Sequence, residues 1–368
     1  MSKVRLLSLC GLALSLGSII APEDAIAEEP LPKVVILATG GTIAGSSNSS
    51  SQTKYEAGVL DIGSLIAAAP GIKTFASVEG ERISNVGSQD MSAAIWSDLA
   101  ARISELYEDP TVAGIVITHG TDTIEETAFF LDLMFPSGKP IVLTGSMRPA
   151  DAISADGPQN LEDAVEIAAT SAAAGRGVMV VLNQKIHAAR RVIKSHTENP
   201  DAFVSERGGL LGEIVNGKPH YFGVAARAKL APAINNWRSI SATEFPKVGI
   251  LYGHVDSDAI LVRFFSRNSY EGLILAGVGN GNTNKRTVEE LQKVASRMII
   301  VRSSRVRDGL VSRNVELNDD ELRFVAAEDL SPQKARILLQ LLLIRNADKA
   351  VIQHLYRCDT PLNPDYCN

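Results

Sequence analysis

Two short apolar runs in the chain end abruptly in glycine and threonine. Val34 to Leu37 lead into ATGGT at residues 38–42, and Gly114 to Thr118 lead into HGTDT at residues 119–123. An uninterrupted apolar run of this length is typical of a strand covered on both faces of a parallel sheet. The glycines permit unusual backbone angles and a close approach to the main chain. Each run therefore predicts a buried strand followed by a tight turn that carries hydroxyl groups.

The segments between the predicted strands have apolar residues at the spacing of a helix. Apolar side chains recur at helical spacing in residues 124–135, and again between the apolar runs Ile141–Thr144 and Val178–Leu182. Glu125 and Glu126 fall in the first turn of the 124–135 helix, where the helix dipole favours acidic residues. Repeated strand–helix units of this kind predict parallel sheets with right-handed crossovers.

A second alternating unit follows later in the chain. Its predicted strands lie near Val248–Tyr252, Leu273–Ala276 and Met298–Val301. Ser331 is the predicted N-cap of a final helix that has Pro332 at its first position. The predicted buried face of that helix consists of apolar residues at helical spacing: Ala335, Leu338, Leu339, Leu342 and Leu343.

These patterns predict an α/β protein with two domains and mainly parallel sheets. The larger N-terminal domain is expected over residues 33–222 and the smaller C-terminal domain over residues 246–368. The alternation of strand and helix is lost between them, so we interpret residues 223–245 as the inter-domain connection.

Composition and charge narrow the classes of function. An apolar content of 45% fits a globular protein, and a net charge of −6 gives no basis for binding nucleic acid or an anionic membrane. The three cysteines and six histidines are scattered singly, without the spacing of zinc ligands. We therefore expect neither a metal nor a cofactor.

The N-terminal residues 1–27 have the pattern of an export signal. Lys3 and Arg5 form a basic region, an apolar run follows to Ile20, and Ala25-Ile26-Ala27 matches the cleavage signature. The alternative is a membrane anchor, but the run is shorter than the roughly 20 residues that span a bilayer. We expect a periplasmic or secreted protein with no membrane contact after signal removal.

Export changes the interpretation of the two C-terminal cysteines. Cys358 and Cys367 remain after signal removal, and an oxidising compartment would allow them to form a disulfide bond. The alternative is two free thiols on a C-terminal tail.

The residues after the first turn argue against a nucleotide site. A dinucleotide-binding fingerprint runs from its glycines directly into a helix, whereas residues 46–55 are polar and serine-rich and predict a surface loop. A single glycine–threonine turn is most simply a capped turn. Two of them at strand ends favour a small-molecule site, because open α/β sheets place ligands at the carboxyl ends of their strands.

Taken with residues 87–91, GSQDM, the two turns closely resemble motifs of the bacterial L-asparaginase family, in particular its exported type II branch. The resemblance extends from about Pro32 to Tyr356. The further matching stretches are residues 147–149, 154–157, 276–282, 301–305 and 332–336. The family implies hydrolysis of L-asparagine to L-aspartate and ammonia, with some activity on L-glutamine, by a homotetramer whose sites are shared between subunits.

The resemblance also implies a role for individual residues. Thr42 is the expected nucleophile, assisted by Tyr55 from a lid loop. The second catalytic cluster would comprise Thr121, Asp122 and Lys194. Thr121 and Asp122 are also expected to bind substrate, together with residues that the family uses for its α-amino and α-carboxylate groups: Ser88 and Gln89 of the same chain, and Asn282 and Glu316 of the neighbouring subunit.

His119 is the one histidine next to these motifs, and we interpret it as structural, because the family gives it no catalytic role. Two other functions remain open at this point. A periplasmic binding protein for acidic or amide amino acids would use Asp122 and Ser88 without turnover. A nucleotide-dependent oxidoreductase would show cofactor absorbance or affinity. Ammonia release from asparagine separates the hydrolase from both.

Overall fold

The computed structural model describes residues 30–46, 58–135, 138–205, 208–223 and 240–358. The predicted export signal, Tyr55 and Cys367 lie outside these ranges, as does the side chain of Cys358. Residues 224–239 of the predicted connection also lie outside them, so the domain boundaries stay a prediction. No helix within the described ranges is long and apolar enough to cross a membrane.

The first part of the chain forms an eight-stranded sheet and a separate two-stranded sheet. Its strands are β1 (Lys33–Gly40), β2 (Ser77–Val86), β3 (Val112–Thr118), β4 (Ile141–Thr144), β5 (Val178–Leu182), β6 (Lys185–Ala188), β7 (Ile193–Lys194), β8 (Phe203–Val204), β9 (Gly212–Val215) and β10 (Lys218–Tyr221). Its helices are α1 (Ile62–Ala67), α2 (Ala93–Glu108), α3 (Ile124–Met134) and α4 (Gly157–Ala169). The order in the large sheet is β10-β9-β6-β5-β4-β3-β1-β2, and β7 pairs with β8.

The large sheet is parallel from β5 to β2 and antiparallel at its other end. Strand β1 is buried on both faces, which accounts for its uninterrupted apolar run. Val35 and Leu37 pack into one core cluster with α2 and α3, while Val34 and Ile36 pack into another with α1 and α4. Because side chains alternate along a strand, a strand covered on both faces needs apolar residues at successive positions.

The second part of the chain forms a smaller sheet of four parallel strands. Its strands, in both chain and sheet order, are β11 (Val248–Tyr252), β12 (Gly272–Gly277), β13 (Ile299–Ser304) and β14 (Val325–Ala326). Its helices are α5 (Ile260–Arg267), α6 (Lys285–Val294), α7 (Asp319–Leu322), α8 (Pro332–Ile344) and α9 (Lys349–Cys358). Helix α8 packs on α3 of the first part, and a single core cluster continues from one sheet to the other.

The predicted α/β architecture with mainly parallel sheets is confirmed, with differences in detail, one of which is that the parallel strands β2 and β14 were not predicted. The antiparallel strands β6, β9 and β10 and the small β7–β8 pair carry weak apolar patterns and were not predicted. Pro219 lies in β10, the edge strand, where a missing N–H can face away from the sheet. Ser331 occupies the N-cap of α8 as predicted, but its buried hydroxyl makes no capping hydrogen bond.

Candidate active site

Three neighbouring parallel strands bring five of the predicted site residues to one edge of the large sheet: Thr42, Ser88, Gln89, Thr121 and Asp122. Strand β1 lies between β2 and β3, with Gly40 opposite Val86 and Ala38 opposite Thr118. Beyond their carboxyl ends, β1 leads to a 3₁₀ turn at Thr42–Ala44 and β2 to a 3₁₀ turn at Ser88–Asp90. Strand β3 leads to Thr121 and Asp122, so the convergence expected from the sequence is observed.

The Thr42 turn depends on its two glycines. Gly40 and Gly41 have φ of 108° and 84°, a region that disfavours residues with a Cβ. A Cβ at Gly40 would lie 2.5 Å from the carbonyl oxygen of Val86, and one at Gly41 would lie 2.4 Å from the backbone nitrogen of Gly120. The turn that carries Thr42 therefore packs directly against the turn that precedes Thr121.

Ser88 joins the third strand end to the second. Its Oγ accepts a hydrogen bond of 3.1 Å from the Asp122 backbone N–H, and its carbonyl accepts one of 2.7 Å from the Thr123 hydroxyl. Gly120 permits this contact, since a Cβ there would lie 2.8 Å from Ser88 Oγ. Gln89, the next residue, is exposed beside the site. Two hydrogen bonds between hydroxyl groups and the main chain thus join the turns and fix the positions of their side chains.

Lys194 enters the site from β7, outside the large sheet. Its Nζ lies 2.9 Å from Thr121 Oγ1 and 2.6 Å from Asp122 Oδ1. The lysine side chain is 15% exposed, whereas the aspartate side chain is 63% exposed. An ammonium group beside a hydroxyl favours the deprotonated form of that hydroxyl. The exposed carboxylate keeps acceptor capacity for a second cation, such as the α-ammonium group of an amino acid.

Glu125 binds the main chain of Lys194, a contact that the sequence did not reveal. Its Oε2 accepts a hydrogen bond of 3.0 Å from the Lys194 backbone N–H, and its Oε1 accepts one of 2.6 Å from Gln333 Nε2. The sequence suggested only a helix-dipole role for this residue. Its carboxylate instead connects the start of α3, the strand that carries Lys194 and the first turn of α8.

His119 is buried among hydrogen-bond partners and does not face the site. Its Nδ1 donates to the Gly120 carbonyl at 2.7 Å, and its Nε2 accepts from the Thr127 hydroxyl at 2.9 Å. The same hydroxyl accepts a 2.9 Å hydrogen bond from Trp96 Nε1. Burial lowers the pKa of His119 to about 4, so the ring is neutral at physiological pH. These contacts fit the structural role expected for this histidine.

Asn282 and Glu316 lie together at the carboxyl edge of the small sheet. Asn282 Nδ2 donates a hydrogen bond to Glu316 Oε2, and the Glu316 side chain is exposed. Within the described ranges, neither residue makes a hydrogen bond or ion pair with Thr121 or Lys194. The structure therefore assembles two groups of predicted residues, one at each sheet, and leaves Tyr55 outside the described residues.

A buried ion pair holds the Asn282 turn in place. Arg302 and Asp319 are 0% exposed and in contact at 2.6 Å. Arg302 also donates to the carbonyl of Asn280 at 2.8 Å, and Asn280 Oδ1 accepts from the Ser312 backbone N–H at 2.8 Å. Across the described part of the chain, no cluster of three or more His, Cys, Asp or Glu side chains could hold a metal ion.

Comparison with known proteins gives two family matches that together span most of the chain. Residues 33–227 match the family described as "Asparaginase, N-terminal". Residues 247–356 match the family described as "Glutaminase/Asparaginase C-terminal domain".

Several curated proteins are similar over nearly the whole length. The "Probable L-asparaginase periplasmic" of Haemophilus influenzae is 42% identical over 97% of this chain and 99% of its own. The "L-asparaginase 2" of Escherichia coli is 42% identical over 89% of this chain and 93% of its own. The "Glutaminase-asparaginase" of Acinetobacter glutaminasificans is 42% identical over 88% of this chain and 98% of its own.

A solved structure shares the fold. The crystal structure of a probable cytoplasmic L-asparaginase from Campylobacter jejuni superposes with a TM-score of 0.82 at 41% sequence identity. The match covers 88% of this chain and 99% of that one.

Proposed function

The chain belongs to the asparaginase family, and on this basis we propose that it hydrolyses L-asparagine to L-aspartate and ammonia, with secondary activity on L-glutamine. The observation that carries the proposal is the contact of Lys194 Nζ with both Thr121 Oγ1 and Asp122 Oδ1, at 2.9 and 2.6 Å. The Thr42 turn packs against the same strand end, which gives the site a second hydroxyl group.

Thr42 is the proposed nucleophile. Its hydroxyl oxygen attacks the side-chain amide carbon of the substrate, ammonia leaves, and a water molecule hydrolyses the resulting ester to release aspartate and restore Thr42. A threonine hydroxyl needs a group that takes its proton, and the resemblance assigns help in this to Tyr55. Backbone N–H groups of the two glycine–threonine turns are the proposed donors to the oxyanion, each worth a few kcal/mol.

Thr121, Lys194 and Asp122 form the proposed second cluster. The Lys194 ammonium favours a deprotonated Thr121 hydroxyl, which can then accept a proton during the reaction. Asp122 holds the lysine, and its exposed side chain binds the α-ammonium group of the substrate. Ser88 and Gln89 complete the binding of the amino-acid end from the neighbouring turn.

The remaining binding residues come from a second copy of the chain. We propose a homotetramer in which Asn282 and Glu316 of one subunit complete the site of another, so that the two edges described above meet across an interface. A two-fold arrangement would make two equivalent shared sites. We also propose export to the periplasm, supported by the pattern of residues 1–27 and by the similarity to the Haemophilus influenzae relative, which is named as periplasmic.

Ammonia release by the purified protein tests the proposed function. The wild type should release ammonia and aspartate in equal amounts from L-asparagine, and Lys194→Met should lose nearly all of this activity. Lys185→Met is a matched control, because Lys185 also pairs with an aspartate, Asp201, but lies outside the site. Binding of asparagine without ammonia release would contradict the proposal and favour the binding-protein alternative.

A further inference from the structure

Lys334 is a buried cation that the proposed reaction does not use. It lies in the first turn of α8 and is only 1% exposed. Its Nζ donates to three backbone carbonyls, those of Ala189 at 3.0 Å, Arg190 at 2.9 Å and Val192 at 2.6 Å. An ammonium group has three N–H donors, so all of them are satisfied. Burying a charge is costly, and this complete set of partners makes it tolerable.

The three carbonyls belong to the segment that leads into the site. Val192 is two residues before Lys194, and the strand that carries Lys194 has only the residues Ile193–Lys194. A strand this short has too few ladder hydrogen bonds to fix its own position. The buried ion pair of Arg190 with Asp329, at 2.5 Å, attaches the same segment to the second part of the chain.

A second contact from α8 reaches Lys194 through Glu125. Gln333, adjacent to Lys334, donates to Glu125 Oε1, while Glu125 Oε2 accepts from the Lys194 backbone N–H. The first turn of α8 therefore holds the Lys194 segment by two routes, one through the preceding carbonyls and one through the Lys194 backbone itself.

We propose that Gln333 and Lys334 are positioning residues for Lys194, which they hold within reach of Thr121 and Asp122; this rests on the proposed function. Lys334 does not touch the substrate, and it acts by fixing the main chain that carries a group which does. Burial lowers the pKa of Lys334 to about 8, so at neutral pH the ammonium form, with all three donors, predominates. The C-terminal half of the chain thus contributes to the site within its own subunit.

Replacement of Lys334 tests this proposal against a matched control. Lys334→Met keeps the length of the side chain and removes its three donors. Lys349→Met removes a lysine that also donates to backbone carbonyls, those of Ala295 and Arg323, at 2.9 and 3.0 Å. Lys349 makes no hydrogen bond or ion pair with the Lys194 segment within the described part of the chain.

The expected result is a loss of kcat without a comparable change in KM. Misplacement of a reacting group by about 1 Å can cost roughly a hundredfold in rate, so kcat of folded Lys334→Met should fall about ten- to a hundredfold. Its KM should stay within about threefold, because the groups proposed to bind the amino acid remain in place. Lys334→Arg should recover part of kcat, and Lys349→Met should match the wild type in kcat even where its Tm falls.

Gln333→Met provides a milder variant that tests the proposal even when Lys334→Met does not fold. Its kcat should fall about threefold or more at unchanged KM, because the Glu125 carboxylate loses one of its two anchors. Wild-type kcat in Gln333→Met, or in folded Lys334→Met, would overturn the proposal. An inactive wild type would instead refute the proposed function, so the two failures are distinguishable.

Discussion

Two ion pairs, one at the carboxyl edge of each sheet, have opposite exposures. Lys194–Asp122 at the large sheet has side chains 15% and 63% exposed, whereas Arg302–Asp319 at the small sheet is 0% exposed on both sides. The exposed pair contacts the Thr121 hydroxyl, and the buried pair contacts the Asn280 carbonyl. In our proposal the exposed pair acts on the substrate, whereas the buried pair holds a turn.

The turns beside these pairs show the same contrast. Gly41 brings the Thr42 turn against Gly120, next to Thr121. In the small sheet, Val278 and Asn282 close their own turn through two backbone hydrogen bonds of 2.9 and 2.8 Å. The fold places a tight turn at the carboxyl edge of each sheet. The two edges differ in the side chains that these turns present, and in our proposal this difference places the reacting groups at the large sheet. In our proposal the small-sheet edge becomes functional only against a second subunit.

The largest expected effect is on turnover at the large-sheet edge. Thr42→Ala should fold normally, and activity should fall by about a thousandfold or more, as expected for loss of a covalent nucleophile. Thr42→Ser, which keeps a hydroxyl group, serves as the control and should retain much more activity. Thr121→Ala should be similarly severe. Ammonia release by Thr42→Ala at a tenth of the wild-type rate would rule out the assignment.

Removal of the cation should destabilise the two ion pairs to very different extents. Arg302→Met leaves Asp319 buried without a charged partner and should cost about 3–5 kcal/mol of unfolding free energy. Lys194→Met breaks a partly exposed pair and should cost less than about 1 kcal/mol. Urea unfolding of both variants measures this difference. Similar losses of stability would show that exposure does not distinguish the pairs.

Acid should destabilise the large-sheet edge through His119. Its pKa is about 4 in the folded protein, below the ordinary histidine value of 6.5, so the unfolded chain takes up the proton first as the pH falls. Stability from this group is complete above pH 6.5, declines towards pH 4, and changes little below that. The loss should be about 3 kcal/mol.

His119→Gln provides the control for this pH dependence, because it cannot titrate. Its unfolding free energy should fall less than that of the wild type between pH 7 and pH 4. Equal acid sensitivity of the two proteins would assign the effect to other groups. Activity of the variant at neutral pH should be affected only mildly, because the ring does not face the site.

The smallest expected effect is the discrimination between the two amides. L-Glutamine has one more methylene than L-asparagine, a difference worth about 1–3 kcal/mol in a pocket. Gln89, beside the site, is neutral and exposed. We expect kcat/KM for asparagine to exceed that for glutamine by about tenfold or more. Equal values in steady-state kinetics would contradict this expectation.

The sequence predicted the strands whose local pattern is strong. Strands β4, β5 and β11 have the bounds expected from their apolar runs, because a strand buried on both faces needs such a run. The convergence of the Thr42 and Thr121 turns also followed from two strand ends in one parallel sheet. The antiparallel strands β6, β9 and β10 are short and partly polar, so their pairing depends on contacts that no local pattern shows.

The supporting residues of the site were missed for a similar reason. Lys334 is four and eight residues before Leu338 and Leu342, on the buried face of α8, and a lysine at that position was an available signal. Its partners, the carbonyls of residues 189, 190 and 192, are more than a hundred residues away in the chain. Only the folded chain shows what such a buried cation binds.

The central claim is that the carboxyl edges of the large sheet and of the small sheet form one site across a subunit interface. Co-expression of Thr42→Ala with Glu316→Ala, each variant with its own tag, tests this claim most directly. In a shared site, a mixed dimer contains one doubly damaged site and one intact site. Random pairing makes half of the dimers mixed, so about a quarter of all sites should regain full function. Mixed dimers isolated by both tags that show no recovery of ammonia release above the single variants would contradict the claim.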